Sequence, residues 1–230
     1  MLREAFMEYV RSHKEEPGNM AGGHKHWDEV YGARSEDALT WFEATPEVSF
    51  DLVREHLQPG DPFVDIGAGA SRLVDVLLEG GFGPLTVLDL SAAALGVSRQ
   101  RLGPKADDVQ WIEADITRWQ PNPDYAVWHD RAVFHFLTGA EDRAGYARAL
   151  SDALRPGGIA IIATFADDGP EMCSGLPVMR YAPEALAQEL DRLLPGQFEK
   201  LGASRHIHIT PKGNRQSFQY SVFRKTDGCD

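Results

Sequence analysis

The chain has 230 residues, 43% of them hydrophobic, enough for one large α/β domain with a proper core or two cramped ones. A formal net charge of -12 disfavours a phosphate-backbone partner, so no nucleic-acid ligand is expected. No apolar run approaches the ~20 residues of a membrane span, the charged opening MLREAFMEYVRSHKEE does not read as a signal peptide, and Cys173 and Cys229 lie too far apart to suggest a structural disulfide; a cytoplasmic protein without a membrane partner is the expectation.

Residues 2–16 read as a helix with Leu2, Phe6, Tyr9 and Val10 roughly on one side, ended by Pro17-Gly18-Asn19. From His26 to His56 a second helical segment carries Trp27, Val30, Tyr31, Trp41 and Phe42, then Val48, Leu52 and Val53. Pro59-Gly60-Asp61-Pro62 punctuates sharply, so 1–58 reads as an N-terminal helical segment or lid and 59–230 as a single domain.

Beyond Pro62 the period changes. PFVDIG is a short strand, and SRLVDVLLEGG a helix with Leu73, Val76 and Leu77 inward. LTVLDLS is a second strand, and Ser91 can cap the helix that closes at Gly103-Pro104. VQWIEADI is a third strand ending at Asp115, and DYAVWHD a fourth. The stretch 132–154 reads as helical, and Arg155-Pro156-Gly157-Gly158 turns it into the fifth strand IAIIATF. Strands alternating with helices predict a doubly wound, mostly parallel sheet covered on both faces. EALAQELDRLL is a further helix, and SRHIHIT and QSFQYSVFRK, joined by Pro211-Lys212-Gly213-Asn214, predict an antiparallel hairpin at the sheet edge.

In open parallel sheets ligands sit beyond the C-terminal strand ends, where this sequence places Asp65, Asp89, Asp115 and Asp130. One such acid is often a cap or turn former; four in register behind the turn Gly67-Ala68-Gly69 point to a ligand. A dinucleotide fingerprint has a third glycine, which GAGASR lacks. Asp65, two residues before Gly67, would repel a pyrophosphate but suit an ammonium or sulfonium. Asp89, 22 residues after Gly67, is placed for ribose hydroxyls, and Asp115 for an adenine amine. The set fits a cationic adenosine ligand without phosphates, S-adenosylmethionine.

The order D-x-G-x-G, VLDLS, EADI and AVFHFL…ALRPGGIAII resembles the class I S-adenosylmethionine-dependent methyltransferases from about Pro62 to Phe165, and more weakly to the C-terminal hairpin. That resemblance implies a Rossmann-like seven-stranded fold and a methyl-transferring enzyme. It implies that Gly67 and Gly69 let the backbone approach the cofactor, that Asp65 helps hold its amino-acid end, and that Asp89 takes the ribose. Leu90 would line the adenine, Asp115 and the Ile116 N–H would read its edge, and His129 would lie near the transferred methyl. GAGASRLVDVLLEGG and VLDLS, with HWDEVYG and LTWFEATP upstream, are similar to a subgroup that includes protein-lysine methyltransferases. That subgroup ends its fourth strand in a D-K-G-like turn, where this chain has Asp130-Arg131-Ala132; Phe134-His135-Phe136 looks more like small-molecule methyltransferases.

Methyl transfer needs alignment and a deprotonated nucleophile, and sometimes a general base. His129 and Asp130 are the catalytic candidates, with His135 behind them; Asp130 also reads as a helix N-cap and His135 as a core histidine. The long irregular segment DDGPEMCSGLPVMRY starts where substrates approach, so Cys173, Arg180 and Tyr181 are candidate acceptor contacts, with an inert buried thiol as the other reading of Cys173. Trp27, Tyr31, Trp41 and Phe42 read either as a lid, with Trp27 and Tyr31 on the substrate, or as core. Asn122-Pro123-Asp124-Tyr125 precedes its strand and reads as a turn; His206 and His208 share a strand face but lack further ligands, so no metal is expected. The acceptor leans to a small molecule, with a protein lysine as the alternative. A dinucleotide-dependent oxidoreductase and a non-catalytic binding module stay open behind the enzyme reading.

Overall fold

A computed structural model describes residues 22–122 and 124–227; the predicted helix at 2–16, Pro123 and Cys229 lie outside the described residues. The elements run in chain order α1 (Gly23–Ala33), α2 (Glu47–Arg54), β1 (Phe63–Ile66), α3 (Leu73–Glu79), β2 (Leu85–Asp89), α4 (Ala92–Leu102), β3 (Val109–Glu113) and β4 (Tyr125–Arg131). They continue with α5 (Ala140–Ala153), β5 (Leu154–Phe165), the two-residue strands β6 (Met172–Cys173) and β7 (Leu176–Pro177), α6 (Pro183–Leu193), β8 (Phe198–Ile209) and β9 (Arg215–Lys225).

The sheet has seven strands in the order β3-β2-β1-β4-β5-β9-β8. Its first five are parallel, and β9 runs antiparallel between β5 and β8. The expected doubly wound sheet with an antiparallel C-terminal hairpin is what the chain forms.

Strand alternation divides the core into two layers. Val64, Ile66, Trp128 and Ile162 bury one face against Tyr146 and Leu150 of α5 and Leu186 and Leu190 of α6. Phe63, Val87, Val127 and Ile161 bury the other against Val53 of α2, Leu73 and Leu77 of α3 and Leu95 of α4. Ser91 caps α4 as expected: its hydroxyl oxygen accepts from Ala94 N at 3.1 Å, and its O–H donates to Asp28 of α1 at 2.6 Å. Among the described residues no helix is long and apolar enough to cross a membrane.

Four local expectations are corrected. The segment 26–56 is two helices rather than one, because Pro46 starts α2 afresh after a short turn at Glu36–Ala38. On α3, Val74 is buried with Leu73 and Leu77, while Val76 is only half-buried. Strand β3 stops at Glu113, so Asp115 sits in the following turn, where its Oδ1 accepts from Thr117 N and Oγ1. The stretch 132–154 is not one helix: a 3-10 turn, Phe134–Phe136, is separated from α5 by Leu137-Thr138-Gly139, with Ala132 in the left-handed region at φ 75°.

Candidate active site

The C-terminal ends of β1, β2 and β4 converge on two adjoining cavities that share Trp41, Gly67 and Arg131. The first lies between Asp89 and Leu90 on one side and Phe165, Cys173 and Phe218 on the other. The second runs beneath the glycine turn, past Asp65, His129, Ser49 and Arg72.

Gly67 and Gly69 hold φ of 59° and 53°, conformations a side chain resists. The packing is as restrictive. A Cβ on Gly67 would lie 2.0 Å from Val133 Cγ2, and one on Gly69 would lie 2.1 Å from the Tyr31 hydroxyl oxygen. Arg101 braces this turn from α4, donating to the carbonyls of Ala70 (3.1 Å) and Ser71 (2.8 Å) while a two-pronged bond to Asp75 fixes it. Glu36 pairs with both Arg101 and Arg72, tying the segment after α1 to the same turn.

Asp65 and His129 are register partners on neighbouring strands, so their side chains share a face. Asp65 Oδ1 meets His129 Nδ1 at 2.7 Å, and His129 Nε2 meets Ser49 Oγ at 3.0 Å. Both imidazole nitrogens are therefore engaged. Asp65 Oδ2 and Arg72 Nε are buried without a partner among the described residues, and both residues line the second cavity. A carboxylate oxygen and a guanidinium N–H left unpaired in one cavity match the ammonium and carboxylate of an amino acid.

Asp89 is buried, with Oδ2 accepting from Gly69 N and Oδ1 from Ser91 N, each at 2.8 Å. Burial pushes its carboxyl up to about 6 despite those bonds. Leu90 lines the first cavity beside it. Asp115 and Ile116 stand outside both cavities, Asp115 in its turn and Ile116 in the core.

Asp130 points the opposite way from His129, as neighbours on a strand must. It is fully buried; Oδ1 accepts from Val133 N (2.8 Å), and Oδ2 from Phe134 N (3.0 Å) and the Tyr146 hydroxyl (2.7 Å). The two catalytic candidates thus sit on different faces of the sheet, and Asp130 lines neither cavity.

Of the expected acceptor contacts, Trp27, Tyr31 and Cys173 line the first cavity. His135, Arg180 and Tyr181 do not. His135 is buried against Phe136 and Phe165, its Nδ1 accepts from Phe165 N at 3.2 Å, and burial lowers its pKa to about 3, which keeps it neutral. Arg180 closes its own loop onto Gly169 O and Glu171, and Tyr181 packs on Phe134. Cys173 is held as a thiol, since burial pushes it up to about 12 against the pull of Arg131. Among the described residues no group of three His, Cys, Asp or Glu is placed to hold a metal.

Several cavity residues have no local sequence signal. Gln216 and Phe218 arrive through the pairing of β9 with β5, which sets Phe218 opposite Phe165. Phe136 is carried in by the 3-10 turn. Arg131 read only as a departure from a D-K-G-like turn, although its position at the end of β4 was a usable signal.

Residues 64–160 match a family model described as a methyltransferase domain. A zebrafish (Danio rerio) eEF1A lysine and N-terminal methyltransferase is 23% identical over 131 residues, covering 56% of this chain and 19% of that protein. The chain spans about a fifth of the length of the curated relatives it matches. A structure concerned with conversion of a disulfide bond into a thioacetal group during echinomycin biosynthesis superposes with a TM-score of 0.70 at 19% identity, covering 90% of this chain and 94% of the other. Burkholderia thailandensis 1,6-didemethyltoxoflavin-N1-methyltransferase, solved with 1,6-didemethyltoxoflavin and S-adenosylhomocysteine, superposes with a TM-score of 0.63 at 18% identity, covering 98% and 88%. Sheet order, glycine turn and domain match agree: residues 64–160 match a methyltransferase domain, and the chain has the fold of the class I S-adenosylmethionine-dependent methyltransferases.

Proposed function

We propose that the chain transfers the methyl group of S-adenosylmethionine to a small molecule. The observation that carries this reading is the unpaired Asp65 Oδ2, in a residue that lines the second cavity together with Arg72, whose Nε is also unpaired. An uncompensated buried carboxylate oxygen suits an ammonium and would repel a pyrophosphate. Asp65 and Arg72 would hold the cofactor's amino-acid end, Gly67 and Gly69 would let it lie against backbone, Asp89 would accept the ribose hydroxyls, and Leu90 would back the adenine. Asp115 and the Ile116 N–H would read the adenine edge from outside the two cavities. His129, locked between Asp65 and Ser49, would orient Asp65 rather than take a proton. The cofactor, when bound, supplies a methyl group on a positively charged sulfur. Trp27, Tyr31 and Trp41 would exclude water above it, and Cys173 would face the acceptor.

The similarity to lysine and N-terminal methyltransferases supports a second reading, a protein amine as acceptor. The aromatic enclosure formed by Phe136, Phe165 and Phe218 favours the small molecule.

Calorimetric titration with S-adenosylhomocysteine, with NAD alongside, tests the cofactor assignment. Asp89 must be ionised to accept ribose hydroxyls, and its pKa is raised to about 6 by burial. A proton therefore competes with the ligand on the acid side. Affinity should be flat above that pH and fall by up to about tenfold per unit below it. Heat from NAD and none from S-adenosylhomocysteine would reverse the assignment.

A further inference from the structure

Among the described residues that line it, the first cavity has one permanent cation, Arg131, one carboxylate, Asp89, and a mostly apolar wall. Arg131, its side chain 12% exposed, stands where the two cavities meet. Its Nε donates to Tyr220 Oη (3.2 Å), Nη1 to Trp41 O (3.1 Å) and Nη2 to Glu43 Oε1 (3.1 Å). A guanidinium has five N–H groups, so two remain without a partner among the described residues. Phe218 fixes its plane, with the ring centroid 4.8 Å from Cζ.

Other charged or titratable groups face Arg131 from several elements: Glu43 with His208 behind it at 3.4 Å, Tyr220 on β9, Cys173 on β6, and His135. Burial opposes ionisation of Glu43, but the His208 hydrogen bond and the Arg131 charge outweigh it and hold the carboxyl below its usual range. The backbone is constrained at the same place. Ala132, next to Arg131, and Ser174, next to Cys173, both adopt left-handed φ, 75° and 52°.

The cavity's other titratable side chains do not offer a base among the described residues. Tyr31 and Cys173 are held protonated by burial, and Asp89, on the methyltransferase reading, is occupied by the ribose of the bound cofactor. A neutral alcohol would find nothing to take its proton, and an ammonium would meet the Arg131 charge.

We propose that Arg131 selects the acceptor, which is a flat, apolar acid — a phenol, an enol or a thiol — bound as its anion against the two spare N–H groups. This rests on the methyltransferase reading. The acceptor's proton leaves to solvent on binding. Its oxygen or sulfur anion then bonds to the methyl carbon as the carbon–sulfur bond of the cofactor breaks, and that electron pair stays on the cofactor sulfur. Phe136, Phe165 and Phe218 would fit the acceptor's flat faces.

The test uses the full chain saturated with S-adenosylhomocysteine, with 4-nitrophenol as the acidic probe and nitrobenzene as its neutral counterpart. The bound phenol should show its phenolate absorption band about one pH unit below the free compound and bind about tenfold tighter than nitrobenzene. Arg131→Gln should erase both differences while S-adenosylhomocysteine still raises the melting temperature. Equal affinities, an unshifted band, or no binding of the phenol overturns the proposal. If Arg131→Gln does not fold, the wild-type spectral titration decides alone, and Arg131→Lys, charged but without the fork, should retain part of the shift. Failure of S-adenosylhomocysteine to stabilise the wild type would instead strike at the methyltransferase reading.

Discussion

Asp89→Asn is expected to weaken S-adenosylhomocysteine binding about 100-fold, close to 3 kcal/mol, and to remove most of the ligand's thermal stabilisation. The carboxylate sits at the end of β2, fixed by Gly69 N and Ser91 N, and the residue lines the first cavity. The asparagine keeps the shape but offers one acceptor oxygen where the ligand and two backbone donors need several. The acid-side loss of affinity should vanish with it, because the group that titrates near 6 is gone. An Asp89→Asn protein that binds as tightly as wild type would remove the ribose assignment. Comparison by calorimetry at neutral and mildly acidic pH separates these outcomes.

Asp130→Ala should cost about 3–5 kcal/mol of stability, since it strands Val133 N, Phe134 N and the Tyr146 hydroxyl in a dry core. For a chain of this size that lowers the melting temperature by roughly 10 °C. The Tyr146 hydroxyl also accepts from Trp128 Nε1 at 3.0 Å, so the loss spreads through a buried chain of three side chains. The pH dependence has a definite sign. Burial raises Asp130 to about 6, above its unfolded value, so its contribution is fully present below about 4 and is lost as pH rises through 6. Removing the carboxyl should flatten that part of the stability curve; the remainder comes from Asp89, shifted the same way. A variant with an unchanged melting temperature and a large rate loss would instead make Asp130 a catalytic base.

These two aspartates show how far the sequence carries the reading. Both were visible as strand-end acids, because a short β-rich apolar run followed by an acid marks a strand terminus whatever surrounds it. What separates them is the face each side chain takes. Asp130 follows His129 by one residue and therefore lies on the opposite layer, where Tyr146 and two backbone N–H groups claim it. The capping alternative for Asp130 and the core alternative for His135 were both legible, and the local hydrogen bonds are the ones those alternatives call for. The break at Gly139 was legible in principle from Thr138-Gly139 followed by acids, but apolar residues on both sides masked it. Long-range placement was not legible. Phe218 and Gln216 reach the first cavity from β9, Arg101 reaches the glycine turn from α4, and Glu43 reaches Arg131 from the connection before α2. No spacing rule joins residues that meet only through strand order.

The most direct measurement of the central claim is methyl transfer itself. Labelled S-adenosylmethionine and the purified chain are incubated with a cell lysate, which is then divided into protein and small-molecule fractions. Label in the small-molecule fraction, lost with Asp89→Asn, is the expected result; label confined to protein, or no transfer with the chain present, would contradict it.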